Sequence, residues 1–521
     1  MARVVLVSNR VVDLSRASQA GGVAVVLADI LRGRTGLWFG WNGKLEEASS
    51  NVRTQPQIAQ LRTSRAAAQS RAQSRALSSN VVATLPLTGD EYADYYLGYS
   101  NSVLWPVFHN RLDLARFDAG FYRRYVEVNE RFAEALTPLL KPDDIIWVHD
   151  YHLLPFAACL RRRGVENPIG FFLHIPVPPS QTFLAIPEHR ELASSLAAYD
   201  LVGLQTAADV ANLIKVFEDS ISGRILQDGR IKALDRPIAV ESFPVGIIVN
   251  DFAGSDQIAP LTGAPSGAVR MIGVDRLDYT KGLPQKFAAY GRFLERFPHY
   301  RGKVVLSQIA PPTRESVEAY TDIRRTLEAL SGKINGMFGE LDWVPIHYIY
   351  RSVPRRRLRD IYHSSRIGLF TPLRDGMNLV AKEYIAAQDP EDPGVVILSR
   401  FAGAAEQLTD ALIVNPYNLD EIADAIRRAL EMGKSERILR HTRLLEAIKQ
   451  QDTRTWAISF LTALEVYAAK REAAREVECP DISRALRQLS ASATAFHLDT
   501  TSKLHRPATP PRYKRSAIRE I

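Results

Sequence analysis

The sequence predicts an α/β fold with parallel sheets, and three observations carry the prediction. Apolar runs of strand length recur at residues 4–7, 145–148, 169–173, 201–204, 271–274, 304–309, 367–370 and 395–398. The runs are continuous rather than alternating, which is the pattern of strands covered by helices on both faces. Stretches with helical periodicity separate them, at 22–31, 121–140, 206–217, 283–297, 314–330 and 419–429, so strand and helix alternate along the chain. At ~100–200 residues per domain, 521 residues leave room for two large domains or more.

The division falls at 250–266, where Gly, Pro, Ser and Asp cluster without periodicity before a fresh apolar run begins. A first domain at 1–250 and a second at 251–455 are therefore expected. A helix at 456–472 is expected to pack back on the first domain, and a basic tail at 473–521, with one short helical pattern at 482–489, is expected to be disordered. No internal repeat is visible, which excludes solenoids and propellers.

Composition narrows the class of function. With 46% hydrophobic and 24% charged residues the chain can bury substantial cores, which excludes a wholly disordered protein. No apolar run approaches the ~20 residues that span a bilayer, and the first ten residues hold no stretch of signal-peptide length, so a cytoplasmic protein is expected. Cys159 and Cys479 are too few for a disulfide framework or a thiolate zinc site. The net charge of +8 invites a polyanion partner, but much of the excess sits in two segments. One is a low-complexity insert at 49–80 with Arg53, Arg62, Arg65, Arg71 and Arg75 and no acidic residue; the other is the tail, with Lys503, Arg506, Arg512, Lys514, Arg515 and Arg519. Neither has interleaved aromatics or a binding motif, so they read as basic appendages and not as a nucleic-acid-binding fold.

Ligands of open α/β sheets bind beyond the carboxyl ends of the strands, so the polar residues there carry the information. After the first run come Ser8-Asn9-Arg10, then Gly21-Gly22 at the start of a helix; this suits an anion, although a Gly-Gly pair is also an ordinary turn, and the GxGxxG dinucleotide fingerprint is absent. The next two runs end in His149-Asp150-Tyr151-His152 and in His174-Ile175-Pro176. Three histidines raise a zinc site, but their spacing is not that of two ligands one helical turn apart and no HExxH occurs, so metal is discounted. In the second half, Asp275-Arg276-Leu277-Asp278-Tyr279-Thr280-Lys281-Gly282 sets two cations after one run, and Arg314 follows another. Residues 371–383 place Arg374, Asp375 and Gly376 before a helix expected near Asn378, with Lys382 and Glu383 inside it. Backbone donors there would face a pyrophosphate, and Asp375 and Glu383 would grip sugar hydroxyls; alternatively Asp375 caps the helix and Glu383 pairs with a surface lysine. Cations and hydroxyl-gripping carboxylates at facing strand ends suit a phosphorylated or nucleotide-activated sugar held between two domains.

These residues, in this order, resemble the trehalose-6-phosphate synthases: Ser8-Asn9-Arg10, Gly21-Gly22, residues 36–43, Val103-Leu104-Trp105-Pro106, residues 149–155, residues 171–176, residues 276–282 and residues 371–383. The resemblance covers roughly residues 1 to 470. It implies the GT-B fold, two Rossmann-like domains facing each other across a cleft, and transfer of glucose from a nucleoside-diphosphate glucose, UDP-glucose foremost, to glucose 6-phosphate with retention. It implies no metal and no cofactor. Carried over position by position, it places the acceptor phosphate on Arg10, Tyr96, Trp105 and Arg314, with Asp150 also on the acceptor side. It places the donor diphosphate on Arg276 and Lys281 with Gly22 in close approach, donor glucose on Asp375, ribose on Glu383, and donor phosphates on the backbone near Asn378 and Leu379. Asp150 and His174 match residues around the reacting sugar, so Asp150, His174, Arg276, Lys281 and Asp375 form the implied catalytic set.

The insert precedes the segment with Tyr95 and Tyr96, and leaves the choice between those two tyrosines to the structure. The tail is too short for a fused phosphatase. Rival readings are a glucosylglycerol-phosphate synthase, which shares the donor machinery, and a non-catalytic regulatory homologue, whose signature would be loss of Lys281, Arg276 or Asp375. The expected partners are small-molecule substrates, with a homo-oligomer left open.

Overall fold

The continuous apolar runs fold into two mainly parallel sheets. A computed structural model of the chain describes residues 2–11, 35–47, 55–60, 80–234, 236–253, 267–314 and 317–478. The Gly21-Gly22 turn and its helix, most of the insert, and everything beyond residue 478 lie outside the described residues.

The first sheet comprises β1 (Val4–Arg10), β2 (Gly36–Glu46), β3 (Gln57–Gln60), β4 (Val81–Thr88), β5 (Ile145–His149), β6 (Ile169–Phe172), β7 (Leu201–Leu204), β8 (Arg224–Ile225), β9 (Ile231–Ala233) and β10 (Arg236–Ser242). Its order is β3-β4-β2-β1-β5-β6-β7-β10-β9-β8. Strands from β4 across to β10 pair in parallel, and only the edges are antiparallel. The second sheet comprises β11 (Val269–Val274), β12 (Val304–Ile309), β13 (Ile346–Ile349), β14 (Ile367–Phe370), β15 (Val395–Ser399) and β16 (Leu412–Val414), all parallel in the order β13-β12-β11-β14-β15-β16. In the parallel part of each sheet the strand order reverses once, between β1 and β5 and between β11 and β14. Those switch points are where a doubly wound sheet opens a crevice for ligand.

Burial on two faces explains the continuous runs. Val4 and Leu6 pack with Trp38 and Trp147 on one side of the first sheet, and Val5 and Val7 pack with Phe39 and Phe132 on the other. Each such side chain contributes about 1.5–3 kcal/mol by leaving water. The first turns of the helix Thr453–Glu478 lie against this sheet through Trp456 and Phe460, whose ring stacks on Trp147 at 4.5 Å. Gly170 and Gly203 make the seat, since a Cβ on either would stand within 2.8 Å of the Phe460 ring.

The structure departs from the sequence reading at several points. Residues 57–60 within the insert form a strand on β4; the exposed, polar-rich β3 lacks the apolar run that marks a central strand. The helix expected at 314–330 is Glu318–Phe338, and Arg314 stands before it with φ 48°, in the left-handed region, where its side chain is captured by other groups. Strands β2, β4, β10 and β13 escaped the reading because their sequences mix glycine, polar and apolar residues. Residues Tyr92–Leu104 form a wide helix in which donors reach five residues back: Asn101 Nδ2 donates to the Tyr96 carbonyl at 2.6 Å and Ser102 Oγ to that of Leu97 at 2.7 Å. Such widened turns are rare and frequent at functional sites. Among the described residues no helix is long and apolar enough to cross a membrane.

Candidate active site

At the switch point of the second sheet the chain leaves β11 through Asp275 and Arg276. Asp275 accepts from the buried Lys286 Nζ at 2.6 Å and is structural, whereas Arg276 is exposed. Gly282, at φ 63°, lets the turn close on the loop after β14, because a Cβ there would lie 2.5 Å from the Thr371 carbonyl. The turn thereby delivers Lys281 Nζ to Asp375 Oδ2 at 2.6 Å. Asn378 Nδ2 donates to the same oxygen at 3.1 Å, while its Oδ1 accepts from the Ala381 N–H at 3.1 Å and caps the helix Leu379–Ala386. Asn378 is therefore the cap, and Asp375 is held by Lys281 and Asn378. Among the described residues Glu383 is not paired with a surface lysine; burial pushes its pKa up to about 7. Its neighbour Lys382 is buried, donates to the Val245 carbonyl and Gln407 Oε1, and burial lowers its pKa to about 7.

At the switch point of the first sheet Arg10 ends β1, exposed, its guanidinium 5.7 Å from the Trp41 ring centre. The wide helix sets Tyr95 and Tyr96 on different duties. Tyr95 is fully buried and donates to Asn9 Oδ1 at 2.8 Å, whereas Tyr96 is half-buried and stacks on His152 at 5.7 Å and 9°. Trp105 lies under two cations, with Arg314 at 4.1 Å and Arg276 at 5.5 Å from its ring centre. Its buried Nε1 has no hydrogen-bond partner among the described residues. The Arg314 guanidinium donates to Tyr320 Oη at 2.6 Å and to Tyr151 Oη at 3.0 Å, and stands 3.6 Å from the fully buried Asp278. Burial opposes the charge on Asp278, but Arg314, Arg276, the Thr280 N–H and Lys281 outweigh it and hold its pKa below the ordinary carboxylate value.

Between the two corners stand Asp150 and His174. Asp150 has φ 77° and ψ 164°, a region that glycine almost alone occupies, and such strain gathers at functional sites. Burial raises its pKa to about 6 against the pull of the Tyr151 and His174 N–H groups and of Arg314 and Arg276. The His174 N–H donates to Asp150 Oδ1 at 3.2 Å, and burial holds the His174 ring neutral, with its pKa down to about 3. The loop after β14 presses on the His174 segment: Arg374 donates to the Val177 carbonyl at 2.9 Å, and a Cβ on Gly376 would lie 2.1 Å from the His174 carbonyl. A cavity of about 190 Å³ remains, lined from one sheet's side by His174, Gln205 and Val245 and from the other's by Arg276, Lys281 and Asp375.

The profile of glycosyltransferase family 20 matches residues 6–466. The chain belongs to glycosyltransferase family 20. It is 43% identical over 487 residues to the trehalose-6-phosphate synthase of Klebsiella pneumoniae subsp. pneumoniae, an alignment that covers 91% of this chain and 98% of that one. Among solved structures it is similar to the UDP-forming α,α-trehalose-phosphate synthase of Burkholderia xenovorans in complex with glucose 6-phosphate, with TM-score 0.80, 42% identity and coverage of 89% and 100%. It is equally similar to an E. coli structure bound with UDP-2-fluoro glucose, with TM-score 0.80, 41% identity and coverage of 89% and 99%. The fold is the GT-B fold of these relatives.

In this family-20 chain His174, Arg276, Lys281, Asp375, Asn378 and Leu379 line the one cavity, and Asp150 is bonded to His174 beside it. Trp105 and Arg314 form a second cluster that Arg276 joins to the first. Arg10 and Tyr96 meet through Trp41, and Glu383 does not line that cavity. Gly22 lies outside the described residues. Tyr151, Tyr320 and Asp278, which hold the Arg314 guanidinium, were given no role by the sequence. Asp278 sits within the conspicuous run after β11, and Tyr151 between His149 and His152, but the pairing of either with Arg314 is tertiary.

Proposed function

We propose that the cleft transfers glucose from UDP-glucose to glucose 6-phosphate with retention of configuration, giving α,α-trehalose 6-phosphate. The observation that carries this reading is the meeting, in a family-20 chain, of two anion-receiving corners at the switch points of two facing sheets. Arg276, Lys281 and the first N–H groups of the helix Leu379–Ala386 suit the donor diphosphate, with Gly22 in close approach. Their charge counts most as the nucleoside diphosphate departs, when negative charge builds on the leaving oxygen. Asp375, fixed by Lys281 and Asn378, suits the hydroxyls of donor glucose, and Glu383 suits the ribose. Arg10, Tyr96, Trp105 and Arg314 suit the acceptor phosphate: two guanidiniums supply charge-assisted contacts, and a phenol and an indole N–H add direction.

Retention with a covalent intermediate needs a nucleophile against the anomeric carbon. In the front-face alternative, the acceptor hydroxyl attacks from the side the diphosphate leaves, and a phosphate oxygen takes its proton. Asp150 and His174 then position and stabilise. The reading includes small-molecule substrates and a cytoplasmic location.

Incubation of the purified chain with UDP-glucose and glucose 6-phosphate, without added metal, tests the proposal by mass spectrometry and proton NMR. An α,α-1,1-linked disaccharide phosphate is expected with glucose 6-phosphate and none with glycerol 3-phosphate. A product only with glycerol 3-phosphate would replace the acceptor assignment, and no product at all would point to the regulatory homologue.

A further inference from the structure

Arg374 precedes Asp375 on the loop after β14, and the reaction as derived gives it no task. Its backbone is fixed on the second sheet's side. The Arg374 N–H donates to the Thr280 carbonyl at 3.4 Å, and the next residue, Asp375, donates to the Phe401 carbonyl at 3.1 Å and accepts from the Gly403 N–H at 3.2 Å. The side chain crosses to the other sheet's side, where Nη2 donates to the Val177 carbonyl at 2.9 Å. There Val177 is held by the helix Ala207–Ile221: its N–H donates to Asp209 Oδ1 at 2.8 Å, and its carbonyl also accepts from Asn212 Nδ2 at 2.9 Å. The two runs therefore meet twice, Gly376 against the His174 carbonyl and Arg374 on that of Val177.

A guanidinium is costly to place there. Burial lowers its pKa against the field of Asp209, its Nε is buried without a hydrogen-bond partner, and it forms no ion pair among the described residues. A buried cation held on one carbonyl adds little stability that an apolar side chain of equal length would not supply. What only the guanidinium supplies is a directed bond between two segments, each carrying a group of the proposed site. Asp375 follows Arg374 directly, and His174 precedes Val177 by three residues. The chain between those two is stiff, since Pro176 has a fixed φ and restricts Ile175 before it, so a position imposed at Val177 is passed on to His174.

We infer that Arg374 is a positioning residue that holds the His174 segment in register with Asp375. One bond across the cleft then sets the carboxylate that suits donor glucose and the histidine beside the reacting sugar in a fixed relation. Loss of that bond frees Val177 from the second sheet's side and loosens the His174 N–H bond to Asp150. The effect on turnover rests on the proposed reaction; the linkage between the segments does not.

Arg374→Met in the full-length protein keeps the buried stem and removes the donor. Hydrogen exchange of the ligand-free protein reads the linkage in the peptide 173–179, whose only backbone amides are those of Leu173, His174, Ile175 and Val177. Their exchange is expected to be about tenfold faster in Arg374→Met, as one lost bond allows, with the melting temperature unchanged. Turnover is expected to fall about 10- to 100-fold, the worth of one hydrogen bond from a charged group, with both KM values within about twofold of wild type. Arg374→Lys, whose ammonium reaches for the same carbonyl, is expected to recover most of the exchange protection and of the turnover. Exchange unchanged in Arg374→Met would overturn the inference, as would a loss confined to the KM for UDP-glucose, or Arg374→Lys no better than Arg374→Met. If Arg374→Met does not fold, Arg374→Gln, too short to cross the cleft, is read in its place. Failure of the wild type to form product from UDP-glucose and glucose 6-phosphate would remove the reaction, and the exchange measurement would still decide the linkage.

Discussion

The two corners of the cleft are built on opposite plans. The corner at β11 and β14 is local: Arg276 and Lys281 follow one strand, Asp375 and Asn378 follow another, and a single positive-φ glycine brings the two runs together. The corner at β1 and β5 is assembled from afar. Arg10 comes from a strand end, Tyr96 and Trp105 from a wide helix and its exit, and Arg314 from the loop after β12 of the other sheet, held by Tyr151 of the first. A locally built site puts its charges where one substrate group needs them, so its loss is chemical. A site assembled from distant segments also ties those segments together, so its loss is chemical and structural at once.

The largest expected effect lies in the local corner. Lys281→Ala removes a cation from the leaving group and should lower turnover by about 10²–10³, the scale of one preorganised donor to developing charge. The KM for glucose 6-phosphate and the melting temperature should barely move, because the partner it leaves, Asp375, keeps Asn378. Steady-state kinetics with both substrates checks this; an unchanged turnover number would remove Lys281 from leaving-group stabilisation.

In the assembled corner, Arg314→Lys keeps the charge but loses the planar fork that reaches Tyr320 and Tyr151 together and lies over Trp105. The KM for glucose 6-phosphate should rise about 10- to 100-fold, equivalent to ~1.4–2.7 kcal/mol of binding. Here the melting temperature should fall too. A change confined to the KM for UDP-glucose would break the division of labour between the corners.

This contrast also explains what the sequence disclosed. The alternation of continuous apolar runs with helical stretches announced the parallel sheets, because strands buried on both faces have no polar side to interrupt them. The corner at β11 and β14 was legible for the same reason: its residues lie immediately after such runs. Tyr151, Tyr320 and Asp278 were not assigned, because only the folded chain brings them to Arg314, and Arg314 itself was mistaken for the start of a helix. Nothing in the periodicity of 92–104 marks a wide helix, whose backbone bonds five residues back, as Trp105 N–H to the Ser100 carbonyl, accompanied by side-chain bonds from Asn101 and Ser102.

Asp150 sits where the corners meet and tests the comparison through stability. Asp150→Gly relieves a backbone conformation costing about 1–3 kcal/mol in non-glycine residues, so the variant should melt higher while its turnover falls. The pH dependence has a definite sign. Since burial raises the Asp150 pKa from 3.8 to about 6, the protonated carboxyl is the form the fold prefers. Its contribution is intact below about pH 4 and is lost as pH rises through about 6. The advantage of the glycine variant should therefore be larger at neutral pH than in acid, as thermal melts at the two pH values will show; the reverse order would mean that the carboxylate, not the acid, is stabilised.

The smallest effects separate two adjacent tyrosines within the assembled corner. Tyr96→Phe keeps the stack on His152 and Tyr92 and deletes only a hydroxyl, so stability should be unchanged while the KM for glucose 6-phosphate rises about threefold to tenfold, the worth of one ordinary hydrogen bond. Tyr95→Phe should do the opposite. It strips the donor from Asn9 Oδ1 in a buried site, which costs about 1 kcal/mol of folding stability, and it leaves KM alone because the Tyr95 hydroxyl is spent inside the protein. Chemical denaturation and acceptor titration on the pair give a crossed pattern if the wide helix presents one tyrosine to the ligand and the next to the core. If Tyr95→Phe moved KM and Tyr96→Phe did not, the register of that helix in the working enzyme would differ by a residue, and the acceptor assignment would pass to its neighbour.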